Sequence, residues 1–200
     1  MALLAPLLAL AAFVFEASFA AESATALTVS ASRTDSPVVR QRLLERAELG
    51  LKQSWALPTR WHAGAAEALS AVIFLKAETL GDASLFEQSA RWATHTVRLA
   101  PVQPNAWIRL AALAERGYGN SVCDIDLCLE RSWSVALMVE PEPACARLQL
   151  AQRRNLLTPN DARIEAYLDG GASRSEAARC LSFLPPDELF QTLMRTLSSD

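Results

Sequence analysis

Lysine is nearly missing from this chain: Lys52 and Lys76 are the only two among 19 basic residues. Glycine is also scarce, at seven in 200 residues, and long β-branched runs do not occur. A chain rich in Ala and Leu with so little glycine favours helix over sheet. Charge of one sign is missing too. The 19 basic and 22 acidic side chains leave a formal charge of −3, so no overall field draws nucleic acid. Catalytic signatures are absent: there is no His-Glu-x-x-His, no Gly-x-Ser-x-Gly and no glycine-rich phosphate loop. The two histidines, His62 and His95, both fall on expected helices, where a lone histidine is usually a surface or packing residue. These absences predict no cofactor, no metal and no catalytic residue.

What is present begins with an almost wholly apolar stretch over residues 2–15, interrupted by Glu16. Small residues at Ser18 and Ala20 stand where a signal peptidase reads, which makes cleavage after Ala20 plausible. No Lys or Arg precedes the apolar run, and the first basic residue is Arg33, so the usual positive start of a signal peptide is missing. The alternative is an uncleaved anchor, because residues 2–21 have about the length that crosses a bilayer. No cysteine follows the run directly, which excludes a lipid-modified cysteine anchor. Either reading of residues 1–21 puts the rest of the chain on the non-cytoplasmic side, membrane-anchored or periplasmic; the third reading is a buried N-terminal helix of a cytosolic protein.

The four cysteines, Cys123, Cys128, Cys145 and Cys180, fit both an exported chain with disulfides and plain buried thiols. Four cysteines allow three full pairings. A zinc site fits poorly, since the Cys123–Cys128 spacing is loose and neither histidine is near in sequence.

Residues 22–36 are small, polar and rich in Ser and Thr, and read as a flexible linker. The helical domain then occupies residues 37–200. Ser36-Pro37 starts its first helix, which stops near Leu57-Pro58. Thr59 is the expected cap of a second helix over residues 60–80, and Gly81-Asp82 the turn into a third over 83–99. Pro104 opens a fourth helix to about 117; further helices are expected over 124–139, 143–156 and from Thr158 to Gly170. Ser173 and Glu176 form a capping box for a short one, and Pro185-Pro186-Asp187 starts the last. The fold class is therefore all-α.

The stretch from Thr96 to Pro141 carries a family resemblance. Thr96-Val97-Arg98-Leu99-Ala100-Pro101 ends one helix, and Trp107 follows Pro101 by six residues. Ala111 holds the place of a small packing residue, Trp133 that of a large aromatic, and Ala136 and Pro141 the end of the second helix. In these positions the segment resembles tetratricopeptide repeats. The spacing from Pro101 to Pro141 exceeds the family's period by six residues, an excess that falls in residues 117–123, between the two helices. Before and after this unit the match degrades: Ile73 and Arg147 stand where the aromatic belongs, with Ala77 and Ala151 in register.

The resemblance implies antiparallel helical hairpins stacked as a short array, and a non-catalytic adaptor or scaffold that binds other proteins of the cell envelope. The layout is similar to small membrane-anchored proteins of bacterial envelope and surface-polysaccharide systems. It implies partners in the envelope, contact with the membrane through residues 2–21 if uncleaved, and no nucleic acid. Arg91, Arg98 and Arg109 flank the interior surface of such an array and are candidates to bind an acidic partner.

Two rival readings remain open. Glu67 lies in an apolar stretch and is the carboxylate that a helical enzyme acting on cell-wall or surface glycans would use as its acid. Residues 164–197 faintly resemble a helix-turn-helix, but the helix after Pro186 begins Asp187-Glu188, which argues against DNA. Asp124 and Asp126 lack the further oxygen ligands of a calcium loop and read as charges at a helix start. Trp55, Trp61 and Trp92 read as packing residues.

Overall fold

A computed structural model describes residues 4–54, 62–119, 122–135, 141–158, 161–169, 173–186 and 189. Among these residues the fold is all-α, with nine helices and no strand. They are α1 (Leu4–Arg33), α2 (Pro37–Ser54), α3 (Ala63–Leu80), α4 (Ala83–Leu99), α5 (Pro104–Glu115), α6 (Ile125–Val135), α7 (Pro141–Arg153), α8 (Ala162–Asp169) and α9 (Arg174–Cys180).

Consecutive helices pair: α1 packs on α2, α3 on α4, and α5 on α6. These hairpins stack side by side, because α2 and α1 both touch α3, and α4 and α3 both touch α5. The apolar core has two clusters. One holds Ala24 and Ala31 of α1, Leu44 and Leu51 of α2, and Leu69 and Ile73 of α3. The other holds Ala93 and Val97 of α4, Leu110 of α5, Leu129 of α6 and Leu148 of α7, and continues into α8 and α9. α4 joins the two, since its Leu85 and Trp92 pack on the first cluster.

Local chemistry accounts for the helix ends. His62 caps α3: its Nδ1 accepts from the Ala65 N–H at 3.1 Å. Gly81 closes the same helix in the left-handed region, at φ 66°, a conformation that glycine adopts without steric penalty. Asp82 then caps α4 by accepting from the Ser84 N–H at 2.8 Å. Asp124 accepts from the Leu127 N–H at 2.8 Å and so caps α6. Ser173 and Glu176 form the reciprocal capping box of α9. The expected cap Thr59, the turn at Leu57-Pro58, the indoles of Trp55 and Trp61, Ala136, and, apart from Leu189, the helix expected after Pro186 lie outside the described residues.

The N-terminal region departs from its expectation. The stretch read as a flexible linker is helical through Arg33, continuous with the apolar segment before it. Ala17, Ala21, Ala24 and Ala31 are all buried. They recur at alternating spacings of four and three (Thr28, between Ala24 and Ala31, is half-buried), which draws one seam along the helix. Alanine there lets the helix axes approach closely. The hydroxyls that suggested a linker are absorbed within the helix. Thr25 and Thr28 donate to the carbonyls of Ala21 and Ala24, at 2.8 and 2.6 Å. Arg40 of α2 reaches back to the Ala31 and Thr34 carbonyls and holds the turn.

The cysteines pair as Cys123–Cys128 and Cys145–Cys180, with Cα separations of 5.6 and 5.5 Å. The second pair joins α7 to α9 across 35 residues of sequence.

Candidate functional site

Two concave features bear on function. The first is a groove of about 440 Å³ between α1, α3, α5 and α7. Alternate helices of the stacked hairpins line it, so it runs across the array. Its walls are largely small or apolar: Val29, Ala68, Ala71, Phe74, Leu75, Ile108 and Ala112. Glu67 and Arg109 lie on opposite walls. The Arg109 Nη1 donates to the Glu67 Oε1 at 2.9 Å and to the Glu67 carbonyl at 3.2 Å. This partly shielded pair ties α3 to α5. Asn105 also lines the groove; its Oδ1 is buried and has no hydrogen-bond partner among the described residues. A buried acceptor without a donor is costly.

The second feature is an open cleft of about 640 Å³ between α4 and the turn at residues 117–119. Arg91, His95 and Arg98 line one side, Gly117, Tyr118 and Gly119 the other, with Glu87 at one end. The three arginines expected on a common interior surface are therefore divided. Arg91 and Arg98 are exposed on this cleft, whereas Arg109 faces the groove and is paired with Glu67.

The other residues singled out from the sequence are placed as follows. Pro101 is exposed, and its carbonyl accepts the Trp107 indole N–H at 2.7 Å, which gives the six-residue spacing a direct physical link. Trp107 is half-buried against the second core cluster. Ala111 is fully buried. Trp133 is buried, with the Arg147 guanidinium 5.0 Å and the Arg163 guanidinium 5.8 Å from its ring centre. Pro141 is the first residue of α7. Asp126 pairs with Arg154 at 3.1 Å. His62, besides capping α3, lies 3.1 Å from the Ser18 hydroxyl of α1 through its Nε2. Because Nδ1 accepts, the ring proton sits on Nε2 and is donated to Ser18.

The glycan-enzyme reading asked for Glu67 at an open cleft. Glu67 does line the groove, but its Oε1 is engaged by Arg109 and it is the only carboxylate among the groove's described lining residues. Most glycoside hydrolases work with two. Several features lay beyond sequence reasoning. Phe86 stacks on Tyr118 with ring centres 5.3 Å apart and meets Phe74 edge-on at 5.8 Å. Arg147 is fully buried, and desolvation pushes its pKa down to about 10. The one available signal was position: Arg147 stands where the repeat register calls for a large aromatic.

No protein-family model, no curated protein and no solved structure matches the chain. The repeat resemblance therefore rests on the residues quoted above.

Proposed function

We propose that this chain is a membrane-anchored, non-catalytic adaptor of the cell envelope. Its stacked hairpins hold a segment of another envelope protein, in systems such as surface-polysaccharide synthesis or export. One observation carries the reading. α1 is a single helix whose first half is apolar and bare and whose second half is part of the folded domain. Leu7, Leu8, Leu10, Phe15 and Phe19 are all more than half exposed, with Phe15 at 73%. Water does not favour such a stripe, and a bilayer does. α1 is also long and apolar enough to cross a membrane.

The two halves overlap at the small-residue motif. Ala17 is fully buried, and Ser18 accepts from the ring that caps α3. Cleavage after Ala20 would remove both. This supports an anchor that stays attached over a cleaved signal peptide. The paired cysteines support the non-cytoplasmic side, because disulfides persist in oxidising compartments. The groove supports a protein ligand: it is mostly apolar and it crosses the stacked hairpins.

The test is to express the tagged chain, fractionate the cells, and read the mature N-terminus by mass spectrometry. The expected result is an intact residue 2–20 segment in a carbonate-resistant membrane fraction, with a stoichiometric envelope partner after cross-linking. A soluble product beginning at Ala21 would overturn the anchor. Recovery without any partner would overturn the adaptor.

A further inference from the structure

We infer that the cleft between α4 and the 117–119 turn binds an extended acidic segment of a partner protein, gripped by Arg91 and Arg98. The inference rests on the adaptor reading and names the chemistry of what is bound.

Arg91 and Arg98 are seven residues apart on one helix, so they share a face, with Cα atoms about 10 Å apart at 1.5 Å per residue. His95 stands between them on the same wall. Both guanidiniums are exposed, and neither has an ion-pair partner among the described residues. Arg109, Arg116, Arg153, Arg154 and Arg163 are each paired with a carboxylate. Among the described residues, the cleft thus holds cations that no carboxylate engages.

The facing wall is firmly placed. Gly117 and Gly119 adopt φ of 87° and 76°, which side-chain-bearing residues rarely do. A Cβ on Gly119 would come within 3.2 Å of the Ala90 Cβ, so the turn lies directly on α4. Tyr118 is pinned by its stack on Phe86. The Tyr118 N–H donates to the Leu113 carbonyl and the Gly117 N–H to the Ala114 carbonyl. The Gly119 N–H and the Gly117 and Tyr118 carbonyls make no hydrogen bond among the described residues. Both kinds of backbone group are therefore left over at this turn, and a peptide, unlike a simple anion, carries partners for both.

Spacing decides the form of the ligand. Two carboxylates can engage both arginines without drawing the two guanidiniums together onto one group. In an extended peptide, residues on one side recur about every 7 Å. Carboxylates two residues apart share that side, and the long arginine side chains span the remaining distance to Arg91 and Arg98. Glu87, one helical turn before Arg91, repels an acidic run at that end and sets the register toward Arg98.

The test uses the full-length protein in detergent micelles and a fluorescein-labelled Gly-Glu-Ala-Glu-Ala-Glu-Gly peptide, read by anisotropy. Saturable binding that weakens with added salt is expected. The double variant Arg91→Glu/Arg98→Glu should lose at least tenfold in affinity with an unchanged thermal melt, since both side chains are exposed. Arg42→Glu/Arg46→Glu on α2 should bind as the wild type does. Equal binding of the Gln-substituted peptide, an unaffected charge-reversal variant, or better binding of an oligogalacturonate than of the peptide would each overturn the proposal. Membrane fractionation separates the two readings. A membrane-bound protein that ignores the peptide ends this inference alone, whereas a soluble, cleaved product that binds it ends the anchor alone.

Discussion

The Trp107 indole shows how much a single residue's surroundings change its expected role. Its place six residues after Pro101 suggests an aromatic wedged between paired helices. It is instead half-buried, and its N–H is donated to the Pro101 carbonyl. It closes the turn between α4 and α5 more than it fills the core. Trp107→Ala should therefore cost about 1–3 kcal/mol, below the roughly 3–5 kcal/mol of a fully buried aromatic. Trp107→Phe keeps most of the ring and loses the bond, and should cost about 1 kcal/mol. Chemical denaturation of both variants checks the pair; a phenylalanine variant as unstable as the alanine one would make the hydrogen bond dominant. Arg147 is the converse case. A charged residue standing where the repeat register calls for a large aromatic is fully buried, with its guanidinium 5.0 Å from the Trp133 ring centre.

At the scale of elements, α1 carries the largest consequence. Its second half is helix because an alanine seam packs on the domain, although its composition suggests a spacer. Ala24→Leu forces a bulkier side chain into that seam and should destabilise the protein by about 1–3 kcal/mol. It should also make residues 22–33 sensitive to protease. If that stretch were a free linker, neither the melt nor the digestion pattern would change. The α3–α4 hairpin is held differently. Ser70 and Ser89 are fully buried and bond reciprocally, each hydroxyl donating to the other's carbonyl, at 3.0 and 2.8 Å. Gly81 makes the turn between them possible. A Cβ at Gly81 would meet no atom within 4 Å, so Gly81→Ala acts through backbone conformation alone. It should cost about 1 kcal/mol, read as a lowered melting temperature. A variant as stable as the wild type would show that the turn relaxes.

Across the whole molecule, ion pairs join one hairpin to the next. Glu115 of α5 binds Arg153 of α7 at 2.8 Å, and that hydrogen bond holds its carboxyl below the usual range. Asp161 is held down in the same way by Arg163. Burial alone would raise Glu48, but Lys52 and Lys76 outweigh it and leave it lowered. Each of these acids has a lower pKa folded than unfolded, so the unfolded chain takes up protons first as pH falls. Their contribution is complete at neutral pH and is lost as pH drops below the ordinary carboxylate range of about 4. Melting temperature should hold steady near neutrality and fall below about pH 4.5, less steeply in Asp161→Asn. Identical pH profiles for variant and wild type would remove that pair from the account.

The all-α class, the turn at Gly81-Asp82, the start of α5 at Pro104 and the capping box at Ser173 were legible because each depends on a few neighbouring residues. Propensity, a left-handed glycine and a capping hydroxyl act over a single turn of chain. The apolar N-terminal segment was legible for the same reason: its length and composition alone make it a candidate to cross a membrane. Whether residues 22–33 form linker or helix depended on α2 and α3, which supply the surface that the alanine seam covers. Likewise, Arg91 and Arg98 share a cleft while Arg109 is taken up by Glu67, because helix packing decides which faces meet. His62 becomes a cap because Ser18, forty-four positions earlier, lies against its ring. Sequence alone thus determined the helical class and those turns and caps that neighbouring residues make, since those are local balances. Only the tertiary structure decided which polar groups are satisfied, which cations stay unpaired and where a groove opens, because each depends on residues distant along the chain.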